Sequence, residues 1–406
     1  MRILHTSDWH LGQHFMGKTR QAEHAAFIGW LVGQVESHAV DAVIVAGDVF
    51  DTGAPPSYAR ERYNQAVVAL HASGAQLVVL GGNHDSVATL GESRALLACL
   101  TTHVVPGVCD DIDQQIMVLP ARDGSPGAIL CAIPFVRPRD VLQSAAGQSA
   151  EDKQLALQAA IQGHYLAVYQ KAVERRNALG LPLPIVATGH LTTVGASASE
   201  SVREIYVGAL EAFPTASFPP ADYIALGHIH RPQHVGGLAH IRYCGSPIAL
   251  SFDEARQQKE VLLVDLDENG LRGVTPLAVP CFQPMASISG NLDALASAIA
   301  QVAQSGTESL PVWLEVTVTE DDYLADLPGR IQSLCAGLPI ELLRVRRGGK
   351  GAAARLRTAA GVALDELSTA EVFAHRLSLE TIDEVMAQQL AALHRDIVSE
   401  RSGESA

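Results

Sequence analysis

Apolar residues in this chain follow two periodicities. Short runs of consecutive Val, Ile, Leu and Ala near 2–6, 42–46 and 76–80 read as strands buried on both faces. Between and after them, near 20–38, 57–73 and 89–99, apolar positions return at helical spacing. Pro55-Pro56-Ser57 reads as a turn leading into the second of these helices, with Ser57 as its N-cap. From 103 to 135 the pattern shortens to strand-like pieces at 115–119 and 128–133, broken by Asp, Gly and Pro. A long helix over 151–179 stops at Gly180, with Pro182 beyond it. Strands resume at 184–188, 222–226, 240–244 and 260–265. An alternating first half and a strand-rich second half predict two facing sheets with helices outside. That is a four-layer α-β-β-α sandwich of the α/β class, placed over 1–275.

The remainder divides further. Pro276–Pro284 reads as a Pro-punctuated linker. A smaller α+β unit follows over 285–346, with helices near 291–304 and 324–335 and strands at 312–318 and 341–346. Gly348-Gly349-Lys350-Gly351 and an Ala-rich stretch make a linker over 347–363. Residues 364–400 read as a helical tail. There Ser368 and Glu371 form a capping box, and Ile382, Val385, Met386, Leu390, Leu393 and Ile397 make an apolar stripe.

Five of the strands end in polar clusters: Asp8-Trp9-His10, Gly47-Asp48-Val49-Phe50-Asp51, Gly82-Asn83-His84-Asp85, Gly189-His190 and Gly227-His228-Ile229-His230. In an open α/β sheet, ligands gather outside the carboxyl ends of the strands. Five such ends aim Asp, Asn and His side chains at one place, which is a metal site. Each motif alone is common; the set in this order is not. The candidate ligands are Asp8, His10, Asp48, Asn83, His190, His228 and His230, all offering oxygen or imidazole nitrogen. This set suits Mn²⁺, Fe²⁺ or Zn²⁺ and disfavours Mg²⁺ or Ca²⁺. Seven ligands exceed the need of one ion. With Asp48 shared, they make a dinuclear site of about 3.5–4 Å spacing, suited to activating water and clamping a phosphoryl centre. His84 is placed for general-acid work, and Asp51 or Asp85 to orient its neighbours from behind. His14 is held in reserve, and the remaining histidines lack such placement.

Composition narrows the partners. With 406 residues, 48% hydrophobic and 18% charged, the chain is a well-buried globular protein of more than one domain. A net charge of −15 argues against coating nucleic acid by bulk electrostatics, but metal ions can neutralise phosphate locally. Six scattered cysteines read as reduced core thiols, as expected of a cytoplasmic protein. No apolar stretch reaches the length of about 18 residues that a membrane span needs. The N-terminus runs directly into the first strand, without a signal peptide.

The chain resembles the calcineurin-like metallophosphoesterase superfamily, and within it the bacterial branch of the Mre11-type DNA repair nucleases. The resemblance rests on Thr6–Gly12, Ala46–Gly53 with Pro55-Pro56-Ser57, Gly82–Ser86, Gly189-His190 and Gly227–His230. Tyr243-Cys244-Gly245-Ser246-Pro247 with Ser251-Phe252 extends it toward the nuclease branch. It implies two divalent ions, with Mn²⁺ the expected metal: one on Asp8, His10, Asp48 and His230, the other on Asp48, Asn83, His190 and His228, with His84 catalytic. It also implies degradation of duplex DNA ends from 3′ to 5′, cutting of single strands and hairpins, and a role in DNA repair and recombination. By the same resemblance, 285–346 caps the site and helps position DNA, and 364–400 binds a coiled-coil ATPase. Helices near 57–73 and 89–99 would form a homodimer, through Val67, Val68, Leu70, Leu96 and Leu97. The competing readings are a stand-alone phosphatase or cyclic-nucleotide phosphodiesterase, and a metal-free scaffold. The second domain and tail speak against the first, and the full ligand set against the second.

Overall fold

The computed structural model describes residues 1–142, 149–202, 212–319 and 326–348, together with Phe373, Met386, Gln389, Leu390, Leu393 and His394. Two six-stranded sheets face each other. The first runs in the order Gly270–Ala278, Glu260–Asp267, Arg2–Thr6, Ala42–Val45, Gln76–Leu80 and Thr102–Val105. Its last four strands are mutually parallel, and Glu260–Asp267 pairs antiparallel with Arg2–Thr6. The second runs Gln233–Val235, Leu238–Tyr243, Tyr223–Gly227, Ile185–His190, Pro126–Cys131 and Ile116–Pro120, with its four middle strands parallel.

Successive side chains of a strand point to opposite faces, and here both faces are covered. Ile3, Ala42, Ile44, Val78 and Leu80 turn inward against Leu130, Val186, Tyr223 and Ala225 of the second sheet. Their neighbours Leu4, Val43, Val45, Leu77 and Val79 turn outward onto helices Gln21–Ser37 and Ser57–Ala72. The outer face of the second sheet is covered by helix Ala150–Leu179, which buries Leu157, Ile161, Tyr165, Val168 and Ala172 at spacings of three and four. Ser149 and Asp152 cap that helix reciprocally, and Gly180 ends it at φ 64°. The expected four-layer sandwich is therefore the observed one.

Two local expectations are corrected. Ser57 is the first helical residue, not the N-cap: Pro56 holds that position with extended backbone, and no side chain caps the helix. Pro276 lies inside a strand, opposite Leu262, rather than in a linker. The strand tolerates it because Gly270–Ala278 is at the sheet edge.

Residues 285–347 form a three-stranded parallel sheet, Met285–Gly290, Val312–Val318 and Ile340–Arg347. The first of these strands escaped the sequence pattern. Helices Leu292–Ala303 and Leu327–Cys335 cover one face around Leu295, Ile299, Leu314, Val316 and Ile331. The face bearing Trp313 packs on the sandwich instead. Trp313 stacks on Phe15 at 5.8 Å between centroids, with Phe252 against the same cluster. The buried Arg20 guanidinium lies 5.5 Å from the Phe15 ring and 5.6 Å from that of Trp313, held by Glu23 and the Ala249 carbonyl. Lys18 reaches Glu341 across the same junction.

Of the expected dimer contacts, Val67, Leu70 and Leu97 belong to the chain's own core, because their helices use that face against the first sheet. Val68 and Leu96 are exposed, at 55% and 67%. Helix 89–99 is two short helices, Val87–Gly91 and Arg94–Ala98. Cys131, Cys244 and Cys335 are buried, whereas Cys99 and Cys281 lie at the surface rather than in the core. The expected tail at 364–400 lies outside the described residues apart from six positions, among which the Phe373 and His394 rings stack at 4.0 Å. Among the described residues, no helix is long and apolar enough to cross a membrane.

The aromatic junction generates a prediction. Trp313→Ala is expected to cost about 3–5 kcal/mol of unfolding free energy in a urea titration, the range for removing a large buried aromatic. A loss below about 1 kcal/mol would show that the small sheet does not depend on this contact.

Candidate metal centre

The loops after the parallel strands lie side by side at one edge of the sandwich. Asp8 N donates to Gly47 O and His10 N to Asp48 O, each at 3.0 Å, so the first two motifs are zipped together through their backbones. Asp8, His10, Asp48 and His228 all adopt left-handed backbone, with φ of 54°, 47°, 51° and 92°. Such residues each cost on the order of 1–3 kcal/mol and persist only where their surroundings impose them. Gly82 is required for a different reason: a Cβ there would sit 2.1 Å from Asp48 Oδ1.

The seven candidate ligands converge. Asp48 is 1% exposed, with Oδ2 3.2 Å from His190 Nε2 and 3.7 Å from His10 Nε2. Its Oδ1 accepts the His84 backbone N–H at 2.9 Å. Asn83 Oδ1 is 2.9 Å from His190 Nε2 and 3.1 Å from His228 Nδ1. Asp8 Oδ1 accepts the His228 N–H at 2.9 Å, and Ser7 Oγ donates to Oδ2. Three groups each have ligand atoms within 4.8 Å of one another: Asp8, His10 and His230; His10, Asp48 and His84; Asp48, His190 and His228. Asp48 belongs to two of them.

Whether a cation fits is decided by nitrogen lone pairs. His190 Nδ1 donates to the Ala46 carbonyl at 2.9 Å, so in the neutral ring a bare Nε2 faces two oxygens, Asp48 Oδ2 and Asn83 Oδ1. That geometry is satisfied only by a proton or a metal ion. His10 Nε2 and His228 Nε2 are buried without a hydrogen-bond partner, a costly state for a polar atom and the expected one for a metal ligand. Electrostatics agree. Burial opposes charge on His190, but the Asp48 carboxylate outweighs it and raises the pKa to about 9. His10 is raised likewise against burial, by its bond to Asp51 and by Asp48 and Asp8. His228 is pushed well below the usual range by burial and by His190. Burial also opposes charge on Asp48, yet His190 and His10 hold it well below the usual carboxylate range. The carboxylates thus favour positive charge at His190 and His10, as they would favour a divalent cation.

Residues behind the ligands divide by role. Asp51 Oδ1 lies 3.1 Å from His10 Nδ1, fixing the ring with Nε2 toward Asp48. Asp85 acts on the backbone: it accepts the N–H groups of Val49, Phe50 and Gly82 and so clamps two loops. Burial and the charge of Asp48 raise its pKa to about 6. His84 Nδ1 donates to the Asp51 carbonyl at 2.7 Å. His84, His10, His14 and Asp51 line a cleft of about 330 Å³, joined from the small sheet by Arg344. Glu254, Ser201 and Lys259 lie behind His230, and the sequence pattern gave no sign of Arg344, Ser201 or Lys259. For Glu254 a signal existed, since it follows two residues after the Ser251-Phe252 motif.

Facing α/β sheets with Asp, Asn and His gathered at their carboxyl edges define a metallophosphoesterase. The sequence matches the calcineurin-like phosphoesterase family over residues 1–232, and the Type 5 capsule protein repressor C-terminal domain over 281–381. The SbcD component of nuclease SbcCD from Escherichia coli (strain K12) is 52% identical over 404 residues, covering 100% of this chain and 99% of that protein. Its counterpart in Rhodobacter capsulatus is 37% identical over 70% of each chain. That of Bacillus subtilis (strain 168) is 32% identical over 65% of this chain and 66% of its own. The chain belongs to the calcineurin-like phosphoesterase family, in the branch of the SbcD nucleases. Membership implies divalent metal ions.

Gly82→Ala follows from this packing. The new Cβ must displace the Asp48 carboxylate, so calorimetric titration should show divalent-cation affinity reduced on the order of 100-fold or more. Unchanged affinity in a folded variant would contradict the packing described.

Proposed function

We propose that this chain is a manganese-dependent DNA nuclease and the nuclease component of a complex with a coiled-coil ATPase. The observation that carries the metal reading is the set of buried imidazole nitrogens lacking protein partners around a carboxylate shared by two ligand groups. Asp8, His10, Asp48 and His230 would hold one ion, and Asp48, Asn83, His190 and His228 the other. Bound in this way, the pair supplies Lewis-acid stabilisation of phosphoryl oxygens and makes a water nucleophile available near neutral pH.

The chain's own residues do the rest. His84 keeps a proton on Nδ1 for the Asp51 carbonyl, so a proton it donates as general acid leaves from Nε2. As the water oxygen attacks phosphorus, losing a proton to solvent, and the bond to the leaving oxygen breaks, the His84 proton passes to the leaving oxygen. Arg344 reaches the cleft from the small sheet, held by Glu315 and lying 5.7 Å from the Phe252 ring centroid. That position supports a contact with a DNA phosphate, and supports the reading of 285–346 as a cap that positions substrate. Because the net charge is −15, phosphate is held by local cations and by the partner rather than by the chain's surface at large. The exposed Val68 and Leu96 support a homodimer along helices 57–73 and 89–99. The apolar stripe in the sequence of 364–400 supports that segment as the ATPase-binding tail. The names of the relatives, each one component of a nuclease complex, support both the activity and the assembly.

The test is cleavage of linear duplex and hairpin DNA with Mn²⁺, alongside a phosphomonoester and a cyclic nucleotide, with and without the ATPase. DNA cleavage dependent on Mn²⁺ is expected; turnover of the monoester or cyclic nucleotide alone would favour the phosphatase reading. Asp48→Ala should abolish cleavage and lower metal content at both positions, and retention of one normally bound ion would remove its shared role. His84→Gln should keep both ions and lose most turnover; loss of metal would make His84 a ligand instead. Arg344→Ala should raise KM for DNA about 10-fold with little change in kcat, as for one lost charge-assisted contact. An unchanged KM would remove Arg344 from the substrate path.

A further inference from the structure

The His230 ring is held through an intermediary. The orienting nitrogens of His10 and His190, by contrast, meet Asp51 and the Ala46 carbonyl directly. His230 Nδ1 lies 3.4 Å from Glu254 Oε1, beyond the usual hydrogen-bond range, and the Ser201 hydroxyl reaches both atoms at shorter distance. Ser201 Oγ is 2.6 Å from His230 Nδ1 and donates to Glu254. A hydroxyl has one proton to donate. With that proton on Glu254, Ser201 must accept from His230 Nδ1–H, which leaves the Nε2 lone pair for the cluster with Asp8 and His10.

Glu254 is fully buried, and its other contacts set its position. Oε2 accepts Lys259 Nζ at 2.7 Å and Leu250 N at 3.0 Å, and Oε1 accepts Ser199 Oγ at 2.6 Å. Lys259, also buried, donates at 3.0 Å both to Ser246 Oγ and to the His230 carbonyl. The network therefore grips His230 at its ring and at its backbone. A buried ion pair of this kind adds little stability by itself, because the Coulombic gain is offset by desolvation. Its terminus on a candidate ligand gives it a purpose.

We infer that Ser201 and Glu254 are positioning residues for His230: the Ser201 hydroxyl relays the carboxylate to the ring, fixes its tautomer and tunes one metal position out of two. The inference rests on the two-metal reading above and deepens it. Groups that orient a metal-bound imidazole typically change affinity about 10- to 100-fold when removed.

Calorimetric titration of the full-length chain with Mn²⁺ alone tests it, with thermal melting as the check on folding. Ser201→Ala should melt as wild type and weaken one of the two ions on the order of 10-fold, leaving the other unchanged. Ser201→Thr, which restores a hydroxyl, should recover most of that affinity. Ser199→Ala removes a bond to the same Glu254 oxygen and a 3.1 Å contact with Ser201 Oγ while leaving the Ser201 link to His230 in place, and should leave both affinities within about twofold. Wild-type affinity in Ser201→Ala, equal loss in Ser199→Ala, or no recovery in Ser201→Thr overturns the relay. A wild-type chain that binds fewer than two ions overturns the metal reading itself, and a chain that binds two but leaves DNA intact overturns only the nuclease reading.

Discussion

Asp48 is an ionised carboxylate taken almost wholly out of water, and the rest of the site is arranged around that fact. Even after relaxation, burying an ion costs on the order of several kcal/mol unless charge and hydrogen bonds compensate. The compensation here comes from three directions: the His84 backbone N–H on one oxygen, and His190 and His10 on the other. Each of those histidines is tied down at its far nitrogen, so none can turn away. Burial opposes charge on both rings, but Asp48 raises the His190 pKa to about 9, and Asp51, Asp48 and Asp8 raise that of His10. The same atoms form the candidate ligand groups for the divalent ions that the family implies.

What holds Asp48 in place is the slab beneath it. The two sheets bury apolar side chains on both faces, and the strand ends are fixed by ladders that run to the last residue before each loop. That rigidity supports four left-handed non-glycine residues at the ligands themselves, a concentration of strain that a loosely packed edge would release. Asp85 serves the same end by another route, since it locks the backbone of two loops. The small sheet extends the construction outward. Its Trp313 and the buried Arg20 fix a second body against the cleft, so that Arg344 arrives at the metal edge from outside the sandwich.

Much of this is legible in the chain itself. Val43–Ala46 and its counterparts are short apolar runs, and the chemistry sits in the next few residues, so strand and ligand are read together. Their convergence follows from parallel topology alone. The contacts that escape the pattern share one property: their partners are far away in sequence. Ser201 meets His230 across 29 residues and Glu254 across 53, with no local spacing to announce either contact. The junction of Phe15 with Trp313 is hidden for the same reason, and the strand Met285–Gly290 because Ser287 and Ser289 dilute its apolar pattern. Ser57 misleads through a local rule: its type fits an N-cap, but Pro56 before it already supplies extended backbone there. Val67 and Leu70 suit an interface by type alone, yet a helix packed on a sheet uses that face for its own core.

The central claim is that one carboxylate joins two cations. Low-temperature electron paramagnetic resonance of the full chain loaded with two equivalents of Mn²⁺ tests it directly, because ions bridged by a shared ligand at roughly 3.5–4 Å are magnetically coupled. An exchange-coupled dinuclear spectrum that disappears in Asp48→Ala is the predicted result. A spectrum of isolated, magnetically independent Mn²⁺ at full loading would contradict it.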